Sequence, residues 1–404
     1  MIDRISEVLR GQSEDGAFSG AAALVWRRGR IEHQAAIGRR DVRSGAPVEP
    51  DTIFRIASMT KPVTAVAALM LYDEGRFRLD DPITHVVPEL SDLKVLRTRN
   101  SGPDDVVGAE RRITYRDLLT HRSGLSYGDL QRGAMAAAYT ERLGTTIDNP
   151  LSPDEWVARL STLPLVEQPG AGFHYGHSSD LLGIVIARLE RAPLGAVLSR
   201  RVFEPLQMRD TGFIVPEDKH ARRAAPCGFD PEGHPATLAT VPGGQALAER
   251  PSTMTFESGG QGLWSTAEDY LTFARLFVER GSVNGVPILR PETLALMTSN
   301  QLTPDQRARA RMFGQALFAH GHGYGMGVAV VTNPESADPI RGRGGVGTVG
   351  WPGAYGGWWQ ADPGDGRVLV FLTHNMVTLE QMGRGIGLGV WTAIATFHAM
   401  ATAS

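Results

Sequence analysis

Strand-like segments occur near both ends of the chain, and this distribution limits the folds that the chain can adopt. Near the N-terminus, two apolar segments flank Gly29, a pattern typical of a hairpin. Beyond about residue 320, runs of apolar or β-branched residues return. The segments are residues 21–28, 30–38, 324–331, 348–357 and 368–374. We therefore predict one antiparallel sheet assembled from distant parts of the chain.

The part of the chain between about residues 80 and 300 has a helical character instead. For example, residues 265–268 (Ser-Thr-Ala-Glu) match a capping box and predict a helix that ends at Gly281. Helical spacing also occurs at residues 2–11 and 378–402. We predict an α+β fold, in which an antiparallel β-sheet is flanked by helices and carries a mostly helical inserted subdomain. The predicted units are residues 1–80 plus 300–404 and residues 81–299, with an active site in the cleft between them.

The composition is that of an ordinary soluble globular protein. Of the 404 residues, 42% are hydrophobic and 21% are charged, and the formal net charge is -3. This charge gives no reason to expect nucleic acid or an anionic membrane as partner. Cys227 is the single cysteine, so no internal disulfide can form. The charged N-terminus does not resemble a signal peptide and no run of apolar residues is long enough to span a membrane, so we expect a cytoplasmic protein.

Ser58 and Lys61 lie where an apolar segment begins, and this segment is predicted to be a helix that ends at Gly75. Pro62 fits the first turn, where its missing N–H costs little. Positions i and i+3 share a helix face, so Ser58 Oγ and Lys61 Nζ can meet. A lysine can activate a serine when burial and nearby positive potential depress its pKa. Ser-x-x-Lys also occurs by chance, and the alternative is a capping serine beside a solvated lysine.

Tyr175 lies in residues 169–180, a segment whose glycines predict a tight loop before an apolar helix. Two roles stay open for this tyrosine. Its hydroxyl either bonds to a carbonyl group in a partly buried position, or it lies near a serine and a lysine and carries a proton to a leaving group.

Several segments together resemble the class C β-lactamase-like superfamily of serine hydrolases, which includes penicillin-binding proteins. Within it, they are most similar to the family VIII carboxylesterases. The segments occur in the order and rough spacing of that family, from about residue 15 to 375, and include connecting pieces such as residues 118–124. They are Ser58-Met-Thr-Lys61, Tyr175-Gly-His177, residues 259–269 (Gly-Gly-Gln-Gly-Leu-Trp-Ser-Thr-Ala-Glu-Asp) and residues 350–355 (Gly-Trp-Pro-Gly-Ala-Tyr). The resemblance implies a β-lactamase/DD-peptidase-like fold.

The resemblance also implies roles for individual residues. Ser58 would be the acylated nucleophile and Lys61 its proton acceptor. Tyr175 would share the base role and protonate the departing alcohol. The backbone N–H groups of Ser58 and of Ala354, on the strand after Trp351, would form an oxyanion hole, each donor worth about 3 kcal/mol by analogy with measured cases.

The strand triplet Trp351-Pro352-Gly353 departs from the Lys-Thr-Gly of β-lactamases, whose lysine helps hold a carboxylate. A tryptophan offers apolar area and one donor, so we expect a neutral acyl group rather than an anionic one. Pro352 is unusual even in the esterase branch, which commonly has Trp-Gly-Gly, and it removes a backbone donor. His177 stands where lactamases usually have asparagine, and it either contacts the acyl oxygen, holds Lys61 or fills space. The predicted substrate-binding residues are Trp351, Gly353, His177, Tyr127 and Tyr355.

Other patterns are set aside because their context does not fit. Residues 124–128 match G-x-S-x-G, but a nucleophile elbow needs a strand before Ser126 and a helix directly after it. Residues 342–347 match G-x-G-x-x-G with no helix following. His320 and His322 lack carboxylate or cysteine neighbours. We therefore expect no metal, dinucleotide or other cofactor.

The leading hypothesis is a serine carboxylesterase that acts on small-molecule esters with short-chain or moderately bulky groups. Alternatives on the same residues are β-lactam hydrolysis, D-amino-acid peptidase or amidase activity, and acyl transfer to a non-water acceptor. A catalytically silent binding protein is a third possibility, and the presence of Ser58, Lys61 and Tyr175 together speaks against it. The natural substrate, its preferred enantiomer and the oligomeric state stay open.

Overall fold

A seven-stranded antiparallel sheet built from both ends of the chain lies at the centre of the protein. The computed structural model describes residues 2–238, 246–247, 250–312, 314–318, 320–337 and 344–403. The strands are β1 (Gly20–Arg27), β2 (Arg30–Gly38), β3 (His322–Tyr324), β4 (Ala329–Val331), β5 (Val349–Pro352), β6 (Trp358–Asp362) and β7 (Arg367–Thr373). Their order is β3-β4-β5-β6-β7-β1-β2. The prediction of one antiparallel sheet from distant segments is confirmed.

Helices flank the sheet and form most of the regular structure in the middle of the chain. They are α1 (Ile2–Glu14), α2 (Thr60–Asp73), α3 (Tyr115–Leu119), α4 (Gly133–Leu143), α5 (Pro153–Leu160), α6 (Ser178–Glu190), α7 (Leu194–Leu198), α8 (Ala267–Arg275), α9 (Pro291–Met297), α10 (Pro304–Arg309), α11 (Leu379–Gly383) and α12 (Gly389–Thr402). The remaining strands are short pairs: Phe54–Arg55 with Trp264–Ser265, Lys94–Leu96 with Val106–Gly108, Cys227–Phe229 with Pro235–Thr237, Ser282–Val283 with Val286–Pro287, and Arg311–Met312 with Gln315–Ala316. The α+β class is confirmed.

The core has two apolar layers, one on each face of the sheet. Alternate side chains of a strand point to opposite faces. Leu24 of β1 therefore joins the larger cluster, which contains residues of α2 and α8. Its neighbours Ala23 and Val25 join the second cluster, with residues of α1 and α12. The larger cluster continues from the sheet into the helical middle of the chain, and the predicted division into two units stays a prediction.

Some element boundaries differ from the sequence-based expectations because turns interrupt the apolar runs. Residues 324–331 are not one strand, since β3 and β4 form a hairpin that turns at Gly327 with φ +81°. Residues 348–357 contain only β5, and the chain turns back into β6 at Trp358. The C-terminal helix is split into α11 and α12 by Gly385 and Gly387, both with positive φ.

The helix predicted to open at residues 265–268 also has different ends. Its N-cap is Thr266 rather than Ser265, and the Thr266 hydroxyl accepts a hydrogen bond from Asp269 N–H. The α-helix ends at Arg275, not at Gly281, because turns of other geometry follow. None of the helices in the described part of the chain combines the length and the apolar character needed to cross a membrane. A cytoplasmic location stays a prediction.

A buried ion pair joins the strand before Ser58 to the helical middle of the chain. Arg55 Nη2 lies 2.9 Å from Asp148 Oδ2, and both side chains are at most 5% exposed. The Arg55 guanidinium also stacks over Trp264, and Asp148 accepts a hydrogen bond from Leu247 N–H. A second buried arginine, Arg250, lies 3.6 Å from the other oxygen of Asp148. Because these buried charges compensate each other, removing Asp148 leaves the arginines in a medium that solvates them poorly.

We expect Asp148→Ala to lower the free energy of unfolding by about 3–5 kcal/mol, because it leaves Arg55 buried without its carboxylate. The matched control is Glu155→Ala, which breaks the exposed pair between Glu155 and Arg159 and should cost no more than about 0.5 kcal/mol. Urea denaturation followed by tryptophan fluorescence measures both variants. Equal stabilities for the two variants would contradict a structural role for the buried pair.

Candidate active site

Ser58 lies at a sharp entry into helix α2. The strand Phe54–Arg55 pairs with Trp264–Ser265, and Ile56 N–H donates to Leu263 C=O. Ala57 then adopts φ +43°, in the left-handed region that favours glycine, which costs on the order of 1–3 kcal/mol for other residues. A 3-10 turn over Ala57–Met59 leads into α2. The predicted helix thus begins with a 3-10 turn, and the conformation of Ala57 carried no signal in the sequence.

Two predicted site residues converge on one atom of a third, Ser58 Oγ. Lys61 Nζ lies 3.1 Å from it and the Tyr175 hydroxyl lies 2.7 Å from it. Lys61 is 1% exposed, and its Nζ also donates to Gly260 C=O over 2.9 Å. The spacing of three residues between Ser58 and Lys61 explains the first contact, whereas Tyr175 arrives from a loop 117 residues further along the chain.

Aromatic rings surround the lysine and fix the tyrosine. Lys61 Nζ lies 4.5 Å from the centre of the Tyr175 ring and 5.4 Å from that of Tyr127, distances at which a cation and an aromatic face attract. Trp351, at the end of β5, donates its indole N–H to the Tyr175 hydroxyl over 3.2 Å. The one side-chain donor of Trp351 is thus bonded to Tyr175, a contact that was not predicted from the sequence.

His121 is a neighbour of the site that the sequence analysis covered only as part of residues 118–124. Its ring lies 5.0 Å from that of Tyr175, and its backbone φ is +53°. Burial, followed by the charge of Lys61, lowers the pKa of His121 well below the usual histidine value. The imidazole is therefore uncharged near neutral pH and adds no second positive charge beside Lys61.

The turn after β5 lies close to the segment that precedes Ser58. A side chain on Gly353 would place its Cβ 2.6 Å from Ile56 C=O, so only glycine fits there without a shift. Gly353 N–H donates to Gly357 C=O. Ala354 lies in the turn two residues beyond the end of β5, not on the strand itself, and it lines the same cavity as Ser58. The pairing of the Ser58 and Ala354 N–H groups as an oxyanion hole stays a prediction.

The cavity beside Ser58 has a volume of about 490 Å³. Trp351, Gly353, Tyr127 and the unusual Pro352 line it, among the residues singled out from the sequence. Apolar side chains of the C-terminal segment also line it. These are Met376, Val377, Met382, Val390 and Trp391.

Two predicted substrate-binding residues lie behind the cavity wall. Tyr355 is 2% exposed and packs against Ala57, and burial raises its pKa to about 12. His177 is 2% exposed, and its Nδ1 lies 2.9 Å from Asp180 Oδ2. Neither is among the described residues that line the cavity. The sequence analysis did not single out Asp180 or Gly260, although Gly260 lies in a segment that carried the family resemblance.

The residues of the patterns that were set aside make ordinary structural hydrogen bonds. Ser126 is buried between α3 and a 3-10 turn, and it accepts a hydrogen bond from Gln131 Nε2. His322 Nδ1 bonds to His320 C=O. Within the described ranges, no group of three or more His, Cys, Asp or Glu side chains could hold a metal ion. Residues 342 and 343 of the glycine-rich pattern lie outside the described residues.

Comparisons with known proteins agree with this geometry. Protein Rv1367c of Mycobacterium tuberculosis is 43% identical over 379 residues, covering 94% of this chain and 91% of the relative. Esterase EstB of Burkholderia gladioli is 33% identical over 387 residues, covering 92% and 90%. The solved structure of EstCE1, a hydrolase with promiscuous acyltransferase activity, superposes with a TM-score of 0.78 at 25% identity, covering 98% of each chain.

The family model described as beta-lactamase matches residues 5–387, nearly the whole chain. The esterase relative and the shared fold agree with that match. The chain belongs to the beta-lactamase family of serine hydrolases, in its family VIII esterase-type branch.

Proposed function

We propose that the protein is a serine carboxylesterase that forms an acyl-enzyme on Ser58. The observation that carries the proposal is the contact of Ser58 Oγ with both Lys61 Nζ at 3.1 Å and the Tyr175 hydroxyl at 2.7 Å. A serine hydroxyl becomes a nucleophile when a neighbouring base takes its proton, and two candidate proton carriers lie within hydrogen-bond reach. The esterase EstB, 33% identical, supports this reaction class.

The proposed reaction has two halves. Ser58 Oγ attacks the ester carbonyl while its proton passes to Lys61, directly or through Tyr175. The developing oxyanion is stabilised by the N–H groups of Ser58 and Ala354, each worth about 3 kcal/mol by analogy. The bond to the alcohol oxygen breaks, Tyr175 gives a proton to the departing alcohol and takes one back from Lys61, and the acyl group stays on Ser58. Water, activated by the same groups, releases the acid and restores the serine.

The charge of the cavity supports a neutral substrate. Among the described residues that line it, the charged side chains are the carboxylates Asp129 and Glu380, and no lysine or arginine is present. Trp351 occupies the position at which lactamases have the lysine that helps hold a carboxylate. An anionic acyl group would therefore meet negative charge without a cationic partner, which disfavours β-lactams and other anionic substrates.

Acyl transfer to an alcohol is the second candidate function on the same residues. The cavity volume of about 490 Å³ and the apolar side chains of the C-terminal segment that line the cavity leave room for an acceptor other than water. A relative from Penicillium decumbens described as acyltransferase calJ is 32% identical over 278 residues, about two thirds of this chain. A peptidase or amidase activity has no comparable support.

A serine-reactive phosphonate should modify Ser58 in the wild-type protein, since Lys61 and Tyr175 activate its hydroxyl. We expect Lys61→Ala to lose at least about 100-fold in labelling rate, because general-base contributions are typically of that size or larger. Mass spectrometry of the intact protein and of its peptides measures the adduct. Ser126→Ala is the matched control and should label like the wild type, and an adduct on Ser126 instead of Ser58 would contradict the proposal.

The preference for neutral substrates can be measured with a matched pair of esters. We expect kcat/KM for p-nitrophenyl pentanoate to exceed that for mono-p-nitrophenyl glutarate at least about tenfold, because like charges in a cavity cost this much or more. Glu380→Gln should narrow the difference. Nitrocefin, an anionic β-lactam, should be turned over still more slowly, and turnover of nitrocefin equal to that of the ester would reverse the order of the hypotheses.

Gly353→Ala should lower kcat at least about tenfold, because the added Cβ would meet Ile56 C=O and push the turn that carries Ala354 away from Ser58. Gly102→Ala is the control, since a Cβ there would contact nothing within 4 Å. Initial rates with p-nitrophenyl butyrate report a displaced turn, and thermal unfolding of both variants shows whether the protein is still folded. Wild-type kcat in folded Gly353→Ala would exclude a tight fit at this turn.

A further inference from the structure

A buried carboxylate, Asp180, lies behind the lysine of the site and has no role in the reaction proposed above. It occupies the first turn of α6 and is 0% exposed. Its Oδ1 accepts hydrogen bonds from the Ser258 hydroxyl over 2.5 Å and from Gly260 N–H over 3.0 Å. Its Oδ2 lies 2.9 Å from His177 Nδ1. Both oxygens of the side chain therefore have partners, which fix its orientation.

The segment that Asp180 holds is the one that contacts Lys61. Gly260 donates its N–H to Asp180, and its C=O accepts the hydrogen bond from Lys61 Nζ over 2.9 Å. The preceding carbonyl, of Gly259, accepts from the Thr64 hydroxyl over 2.7 Å, one turn after Lys61 on α2. Residues 258–260 are therefore hydrogen-bonded on one side to the start of α6 and on the other to α2, the helix that carries Lys61.

The space around these glycines shows how close the approach is. A Cβ on Gly259 would lie 2.6 Å from Ser179 C=O. A Cβ on Gly260 would lie 2.9 Å from both Asp180 Oδ1 and the Tyr127 hydroxyl. Larger residues would separate the carboxylate from the backbone that it holds. This is a physical reason for the paired glycines in the segment whose resemblance to the family was noted from sequence alone.

Lys61 Nζ has two aromatic neighbours besides this segment. The rings of Tyr127 and Tyr175 face it, and His121 behind Tyr175 is uncharged near neutral pH. Asp129 lines the cavity, and His177 Nδ1 lies 2.9 Å from Asp180 Oδ2. Among these groups, Asp180 is the one that accepts from the Gly260 backbone.

We propose that Asp180 is a positioning residue for Lys61. Through Ser258 and Gly260 it holds the carbonyl group that aims Lys61 Nζ at Ser58 Oγ. This inference rests on the proposed hydrolase function. It also places His177 beside the carboxylate that orients the lysine, rather than beside the substrate.

Two variants test this positioning role. Asp180→Asn keeps the shape of the side chain but replaces one accepting oxygen with an amide NH2 group, which cannot accept from Ser258 and Gly260 or from His177. We expect its kcat for p-nitrophenyl butyrate to fall about tenfold with KM unchanged, because Lys61 Nζ is held less well toward Ser58 Oγ. Ser258→Ala removes one hydrogen bond to the carboxylate. We expect its kcat to fall about tenfold with KM unchanged.

Asp305→Asn is the matched control, because it removes an exposed carboxylate of α10 and should change neither kcat nor KM. Thermal unfolding and phosphonate labelling of Ser58 count the folded, competent protein in each preparation. If Asp180→Asn does not fold, Ser258→Ala alone decides: reduced kcat with an unchanged KM supports the proposal, and wild-type kcat overturns it.

The outcomes also separate this inference from the proposed function. Wild-type kcat in folded Asp180→Asn would overturn the positioning role, while the esterase proposal would stand. If Ser58 of the wild-type protein neither labels with the phosphonate nor supports ester turnover, the proposed function fails, and the inference fails with it.

Discussion

A lysine side chain that is 1% exposed must find partners for its ammonium group inside the protein, because water cannot provide them. For Lys61 these partners are Ser58 Oγ, the carbonyl of Gly260 and the faces of two tyrosine rings. They come from four separate parts of the chain, and each must reach the same small volume. The arrangement of the surrounding helices, loops and strands can be understood from this requirement.

Several features that usually destabilise a protein allow these groups to come close to Lys61 and Ser58. Ala57 adopts a left-handed conformation so that the chain can turn from a strand into the helix that carries the lysine. Glycines stand at positions 259, 260 and 353 because a Cβ would meet backbone or carboxylate atoms there. The buried pair of Arg55 and Asp148 anchors the strand that leads into the nucleophile. Backbone strain and close packing thus both occur around Ser58, as is common where side chains must be held in a fixed geometry.

The aromatic residues of the site differ in whether they line the cavity. Trp351 and Tyr127 line the cavity, while Tyr355 packs behind its wall. Trp351 also donates to the Tyr175 hydroxyl, so this tryptophan both lines the cavity and holds the tyrosine. A site of this kind combines an apolar cavity with a few oriented polar groups, an arrangement common in sites for small molecules.

Much of this architecture could be predicted from residue patterns, because they report local and periodic constraints. Runs of apolar and β-branched residues predicted the strands at both ends of the chain, and the helical spacing placed Ser58 and Lys61 on one face. Turns inside apolar runs were not predicted, since Gly327 and the turn before Trp358 interrupt segments whose composition is uniformly strand-like. The split at Gly385 and Gly387 escaped prediction for the same reason.

The sequence by itself determined the class of fold, the pair of Ser58 and Lys61 and, through resemblance, the tyrosine that joins them. Only the tertiary structure decided that His177 faces Asp180, that Asp180 holds Gly260, and that the carbonyl of Gly260 holds the lysine. These contacts join residues up to 199 positions apart. No local pattern specifies such contacts, because they depend on how distant segments pack together.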